Sequence, residues 1–357
     1  MSAQPIVLGA GPAGCAAAIR LARGGSRPLL IDRHAEAHDP ICGGFLSWQT
    51  IAALRALGYD PAEDGAAPVR RLALLDRDRE TVAPLPANGY GLSRRAMDAA
   101  LRRLALGAGA RLAIDHVRAM DGRRLIGENR SYEGDALFLA SGKTDVRGMR
   151  RPRSADDPTL GLRFHLDADE RLRTLLSDRI ELHLFEGGYA GIVMQEGDRA
   201  NVCLAVRKSL LANAGGDPAV LVEKLAATHP RFAERLMLFN RATSIDSIAA
   251  VPYGWRAKAT SPSVFRLGDQ AAVIPSLAGE GMGIALASAA DAVHAYRDGG
   301  SAAAQAFQRR FGRRSRSPVT VASALWRIGE TGSGARFLRA AASVPMLPRL
   351  AMRLSRI

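Results

Sequence analysis

The chain has 357 residues, 47% apolar and 24% charged, enough for one large hydrophobic core or two modest ones. Lys and Arg number 49 against 35 Asp and Glu, and the net charge of +14 suits nucleic acid, an anionic membrane or an acidic ligand. No stretch reaches the roughly 18–20 apolar residues of a membrane span, and Cys15, Cys42 and Cys203 lack the spacing of a zinc site or a disulfide framework.

The first 33 residues carry the clearest pattern. In "PIVLGAGPAGCAAAIRLARGGSRPLLIDR", Pro5–Leu8 predicts a short buried strand, Ala13 to Arg23 a helix of small residues, and "PLLID" a second buried strand ending in Asp32. No basic residues precede the apolar run, so it reads as part of the fold rather than as an export signal. Gly9, Gly11 and Gly14 form G-x-G-x-x-G between strand and helix. Gly9 makes the tight turn, Gly11 lets backbone approach a pyrophosphate on the helix N-terminus, and Gly14 lets helix and strand pack closely. Asp32 falls where an acid hydrogen-bonds an adenosine ribose. These features predict a dinucleotide site. Cys15, inside the helix among alanines, reads as a small packing residue.

Next comes "ICGGFLSWQ", residues 41–49, leading into a helix near 47–57. Cys42 has no second cysteine at metal or disulfide spacing. Residues 69–85 predict a hairpin. "GLSRRAMDAAL", residues 91–101, predicts a helix start, and "ALFLASGKTDVRG", residues 136–148, a buried strand and loop. Residues 161–207 predict several strands ("GLRFHL", "IELHLF", "GYAGIVMQ", "ANVCLAV"), with helices near 217–238. His165, His183, Tyr189, Met194 and Cys203 lie in these strands, and each taken alone reads as a core or surface residue. A strand at Val264–Leu267 then ends at Gly268-Asp269. "GEGMG" opens a long apolar helix from about Met282, and the Gly279–Gly283 loop exposes backbone N–H groups at its N-terminus that favour nearby negative charge.

Taken together, "GAGPAG…LLIDR", "GLSRRAMDAAL" and "RLGDQAAVIPSLAGEGMGIAL" resemble the FAD-dependent oxidoreductases of the p-hydroxybenzoate hydroxylase superfamily, and within it the geranylgeranyl-reductase-like flavoproteins. The resemblance spans roughly residues 5–300. It implies an α/β (α+β) fold: a Rossmann-like βαβ FAD-binding domain, an inserted and mostly antiparallel β-sheet substrate domain, and a C-terminal helical segment. The FAD-binding domain would comprise 1–68, 88–150 and 248–300, the substrate domain 69–87 and 151–247, and the basic helices 301–357. FAD contacts fall on Gly9, Gly11, Pro12, Ala13, Gly14, Asp32 and Arg33, on Gly43, Gly44 and Arg94, and on Gly142, Gly268, Asp269, Gly281, Met282 and Gly283. Asp269 would bind the ribitol, and the 280–283 backbone would face the pyrimidine edge. Cys42 is the candidate flavin-proximal catalytic residue, since similar reductases have a Cys-Gly-Gly segment beside the flavin. No metal site is expected.

NADPH or NADH is the candidate electron donor, although Ser141-Gly142 stands where the hydroxylases carry an Asp-Gly pair that assists NADPH. The leading activity implied is a monooxygenase that hydroxylates a hydrophobic aromatic or polyketide-like substrate through a flavin C4a-hydroperoxide. The alternatives are reduction of isoprenoid double bonds and a flavoprotein that matures a partner protein. A halogenase is disfavoured, because "GYAGIVM" lacks the W-x-W-x-I-P tryptophans.

From Gln308 to Ile357 the chain has eleven arginines and one acid, Glu330, among helical apolar patterns. The segment reads as helices packed on the body with a basic outer face, or as a membrane-surface contact for a hydrophobic small-molecule or lipid substrate. No aromatic-interleaved motif points to nucleic acid. The expected location is cytoplasmic, with the inner face of the membrane as the peripheral alternative.

Overall fold

A computed structural model describes residues 4–152, 156–249, 251–344 and 346–357. The chain runs β1 (Ile6–Leu8), α1 (Pro12–Arg23), β2 (Leu29–Asp32), β3 (Phe45–Leu46) and α2 (Trp48–Ala56), followed by the hairpin β4 (Ala67–Asp76) and β5 (Arg79–Gly91). After α3 (Arg94–Gly107) come β6 (Arg111–Ile114), β7 (Ala119–Asp121), β8 (Arg124–Ile126), β9 (Ser131–Glu133) and β10 (Leu137–Leu139). The middle of the chain is β11 (Thr159–Asp167), α4 (Glu170–Leu176), β12 (Arg179–Phe185), β13 (Gly188–Gln195) and β14 (Arg199–Arg207), then α5 (Lys208–Asn213), α6 (Pro218–Thr228), α7 (Pro230–Arg235) and β15 (Asp246–Ile248). Last come β16 (Val264–Arg266), α8 (Gly281–Gly299), α9 (Ala304–Arg314), α10 (Arg316–Gly329), α11 (Gly332–Ala341) and α12 (Met346–Leu354).

A parallel sheet in the order β16-β10-β1-β2-β6 holds the dinucleotide motif. Its strands are short and almost wholly apolar because both faces are covered, as parallel sheets require. Gly14 shows why α1 can lie so close: a Cβ there would sit 1.8 Å from the Gly9 carbonyl oxygen. The small residues Cys15, Ala16, Ala17 and Ala18 bury the rest of that helix, which packs against α8 and α3. Cys15 is fully buried, and its thiol donates to the Ala10 carbonyl at 3.2 Å.

The second sheet runs β15-β11-β14-β13-β12-β4-β5-β3. It is antiparallel except where β12 lies parallel to β4. One face packs on α4, α6 and α7 through Phe164, Val202, Leu221 and Phe232. Toward the other, Leu182, Leu184 and Tyr189 meet Trp326 of α10 and Ala335 of α11. A three-stranded sheet, β7-β8-β9, completes the strands.

The hairpin is longer than the sequence pattern suggests. It spans 67–91, and its register shifts between Val69 and Arg71, where β5 carries the extra residues between Pro84 and Gly89. The large sheet also recruits Phe45–Leu46, which pairs with Gly91 and Tyr90. Residues assigned from sequence to the first domain thus contribute an edge of the second sheet. The helices from 304 onward lie against the body, and Arg207 clamps Glu330 with hydrogen bonds of 2.8 and 2.6 Å.

Candidate active site

The parallel strands all end at two adjoining cavities, the usual place for ligands in open α/β sheets. The outer cavity, of about 520 Å3, is lined by Gly9, Asp32, Arg33 and Arg102. The inner one, of about 230 Å3, lies between the two sheets and is lined by Pro12, Ala13, Cys42, Gly43, Gly44, Gly268, Gly281 and Met282. Gly11, Arg94, Gly142, Lys143 and Asp269 line both and mark the passage between them.

Each element delivers its residue for a local reason. Asp32 ends β2 and is fixed by backbone: its carboxylate accepts from Ala10 N at 2.6 Å and from His34 N at 2.9 Å. Arg33 donates to His34 Nε2 at 2.8 Å. Ser93 caps α3 by accepting from Ala96 N at 3.1 Å, which sets Arg94 in the first turn. The Arg94 guanidinium is held by Asp98 through hydrogen bonds of 2.9 and 2.6 Å. It points toward Gly11, where a Cβ would come within 3.3 Å of it. Arg95 is exposed, so Arg94 is the arginine of the site. Lys143 lies 3.6 Å from Asp269 and donates to the Ile41 carbonyl at 3.4 Å. Gln270 donates to the carbonyls of Gly142 and Thr144 at 2.9 and 3.0 Å, tying together the turns after β10 and β16.

These residues fit FAD on two observations. First, α1 and α8 both begin at the cavities with no side-chain cap, leaving first-turn N–H groups for an anion. Arg94 and Lys143 add charged donors at the passage, each balanced by a carboxylate, Asp98 and Asp269. Second, Gly43 and Gly281 line the inner cavity, yet a Cβ at either meets nothing within 4 Å. The protein itself does not need glycine there, and the bare backbone leaves room for a flat ligand.

Two expected contacts are absent from the cavity walls. Gly14 lies between α1 and β1 and has the packing role described above. Gly283 makes room for a neighbour, since its Cβ would lie 2.0 Å from Glu280 Oε1. Gly44 has a structural reason as well, at φ +71 with the Gln195 amide 2.0 Å from a would-be Cβ. Cys42 is half-buried on the inner cavity, its sulfur 3.5 Å from Gly44 N and its carbonyl accepting from Asn201 Nδ2 at 3.1 Å.

Of the five strand residues singled out in sequence, Tyr189 and Cys203 line the inner cavity. His183 is instead buried against Glu181 at 2.8 Å, His165 lies 3.7 Å from Asp39, and Met194 packs on the far core. Burial pushes the Cys203 thiol up to about 12, so it is neutral.

Of the groups on the inner wall, Tyr253, Ser276 and the side chains of Glu280 and Arg356 escape sequence reasoning. Tyr189 and Tyr253 both reach Ser276 Oγ at 2.7 Å, forming a phenol–serine–phenol chain on the cavity wall. Burial raises both phenols above the ordinary value, so they stay protonated. Trp326 backs the pair edge-on. Glu280, at the start of α8, is 1% exposed and is held by Arg356 at 2.8 Å and Ser47 at 3.2 Å. No short-range spacing could have linked these residues. Among the described residues, no group of His, Cys, Asp or Glu is placed to hold a metal ion.

Fold and site define an FAD-dependent oxidoreductase. The FAD binding domain family matches residues 2–69. Over 308 residues the chain is 25% identical to digeranylgeranylglycerophospholipid reductase 2 of Methanopyrus kandleri, covering 79% of this chain and 74% of the relative. It is 33% identical over 118 residues to menaquinone reductase of Mycobacterium tuberculosis, a match covering 32% of this chain and 29% of that relative. Among solved structures the fold is similar to that of the flavin-dependent brominase Bmp2, with a TM-score of 0.80 and 17% identity over 99% of this chain and 93% of that one. It is also similar to a geranylgeranyl bacteriochlorophyll reductase-like protein of Thermoplasma acidophilum, with a TM-score of 0.74 and 17% identity over 99% and 95% of the two chains. At these identities the structural likeness establishes the fold alone.

Proposed function

We propose that the chain reduces carbon–carbon double bonds in a hydrophobic, isoprenoid-like substrate. One observation carries the reading: Cys42 and the Tyr189–Ser276–Tyr253 chain share the inner cavity with aliphatic side chains such as Ile41, Leu182, Val251 and Ile274, alongside the charged Arg94, Lys143, Asp269, Glu280 and Arg356. FAD, when bound, supplies hydride chemistry at its ring. Reducing an alkene also needs a proton, and the phenols on the cavity wall would supply it. Ser276 holds both hydroxyls, so that one phenol can be re-protonated through the other. The aliphatic wall binds the chain and excludes water. Both sequence relatives are named as reductases, one of a digeranylgeranyl phospholipid and one of menaquinone, which supports the substrate class.

The second reading is hydroxylation of an aromatic or polyketide-like ring. In this reading the phenol chain would hydrogen-bond and orient the hydroxyl of a phenolic substrate. An inner cavity of about 230 Å3 suits a small molecule better than a protein segment, which disfavours a role in maturing a partner protein. NADPH or NADH is the proposed electron donor, and bleaching of flavin absorbance on anaerobic mixing tests it. Incubation with a geranylgeranyl lipid or menaquinone, followed by mass spectrometry, separates the two reactions. Reduction adds two hydrogens per bond without oxygen, whereas hydroxylation adds one oxygen atom and stops under nitrogen.

A further inference from the structure

The helix α12 has two apolar faces. Pro348 and Met352 point inward and are buried. Met352 lines the inner cavity, as does Arg356 just beyond the helix. Outward, Leu347, Leu350 and Leu354 recur at helical spacing and are 46%, 53% and 46% exposed. Met346, Val344 and Phe337 add to them at 75%, 49% and 62%. Large exposed apolar side chains of the described residues thus concentrate on α11 and α12, where single scattered ones are the norm elsewhere.

Charge accompanies this face. Residues 331–357 contain five arginines and no acid. Arg336, Arg349 and Arg353 are exposed. None of the three forms an ion pair with a described carboxylate. A stripe of leucines flanked by unneutralised arginines matches hydrocarbon beneath a layer of negative headgroups.

We propose that the outward face of α11 and α12 docks on an anionic lipid membrane, with α12 as the element shared by bilayer and cavity. The outer leucines enter the acyl boundary and the arginines meet the headgroups. The inner face meanwhile stays against the cavity wall, so an apolar substrate leaving the bilayer meets the site across a single helix. Docking does not depend on which reaction the site performs, and vesicle binding and turnover can fail independently.

The test uses the full chain loaded with FAD and vesicles of phosphatidylcholine, with or without phosphatidylglycerol. The expected result is co-sedimentation with the anionic vesicles that weakens as salt rises. Leu350→Glu with Leu354→Glu should weaken partitioning about tenfold or more, while FAD content and thermal melting stay unchanged. Arg349→Gln with Arg353→Gln should lose the preference for phosphatidylglycerol. Three results would overturn the proposal: no binding to anionic vesicles, undiminished binding by the leucine variant, or a dimer in light scattering that the leucine variant abolishes, which would assign the face to a second copy of the chain.

Discussion

Arg356 donates to Glu280 Oε2 at 2.8 Å and to the Ala278 carbonyl at 2.6 Å, joining the end of α12 to the start of α8 inside the cavity wall. The guanidinium also lies 4.9 Å from the Trp48 ring. Burial raises the Glu280 carboxyl from 4.5 to about 7, against the opposing pull of Arg356 and Ser47. Between those two values the folded state holds a proton that the unfolded chain releases. Its contribution to stability is therefore full below about 4.5 and is lost as pH rises through about 7. The loss is on the order of 3 kcal/mol. Glu280→Gln removes this titration, so urea unfolding at acid and mildly alkaline pH should show a drop in the parent protein and a flatter profile in the variant.

Two glycine substitutions should separate cofactor space from protein packing. Gly43→Ala meets no protein atom within 4 Å. It should leave apo stability within about 0.5 kcal/mol while weakening FAD binding about tenfold, read by flavin fluorescence titration. Gly14→Ala puts a methyl 1.8 Å from the Gly9 carbonyl oxygen. It should destabilise the apo fold by about 3 kcal/mol, seen in chemical denaturation without any flavin.

The phenol chain predicts a catalytic loss without a binding loss. Tyr253→Phe removes one hydroxyl from Ser276 and should lower turnover about 100-fold. It should cost only about 1 kcal/mol of stability and leave the flavin spectrum unchanged. Steady-state kinetics should place the effect in kcat rather than KM.

Glu181 tests the stability of the large sheet. It is fully buried and bound by Arg235 at 2.9 and 3.0 Å and by His183 at 2.8 Å. Burial alone would raise its carboxyl, but these partners hold it down at about 2. Arg235→Ala removes two charged hydrogen bonds while Arg179 at 2.7 Å and His183 still face Glu181, and should cost about 2–3 kcal/mol, measured as a fall in the denaturation midpoint at neutral pH.

The dinucleotide half was legible because its constraints are local. Gly9, Gly11, Gly14 and Asp32 lie within one βαβ unit, and the chain's turns dictate their contacts. The strands of the large sheet were also visible, but not which of their residues face the site. Both faces of β11 and β14 are covered, so burial runs nearly unbroken along them and no alternation marks a cavity side. Tyr189 and Cys203 therefore looked no different from His183 or Met194. Glu280 and Arg356 stand 76 positions apart, and Tyr189 and Ser276 stand 87 apart. Only tertiary packing brings such pairs together. "CGG" divided in a way that its spelling did not show: Gly44 answers to a positive φ and Gln195, whereas Gly43 faces open cavity.

The proposed activity is transfer of hydride from FAD and of a tyrosine proton to an apolar alkene. The most direct measurement is a single turnover of the reduced holoenzyme with a geranylgeranyl lipid under nitrogen, followed by mass spectrometry of the lipid. Gain of two hydrogens per reduced bond, together with flavin reoxidation, is the predicted result. A lipid of unchanged mass beside a still-reduced flavin, with an oxygen-bearing product appearing only after air is admitted, would contradict it.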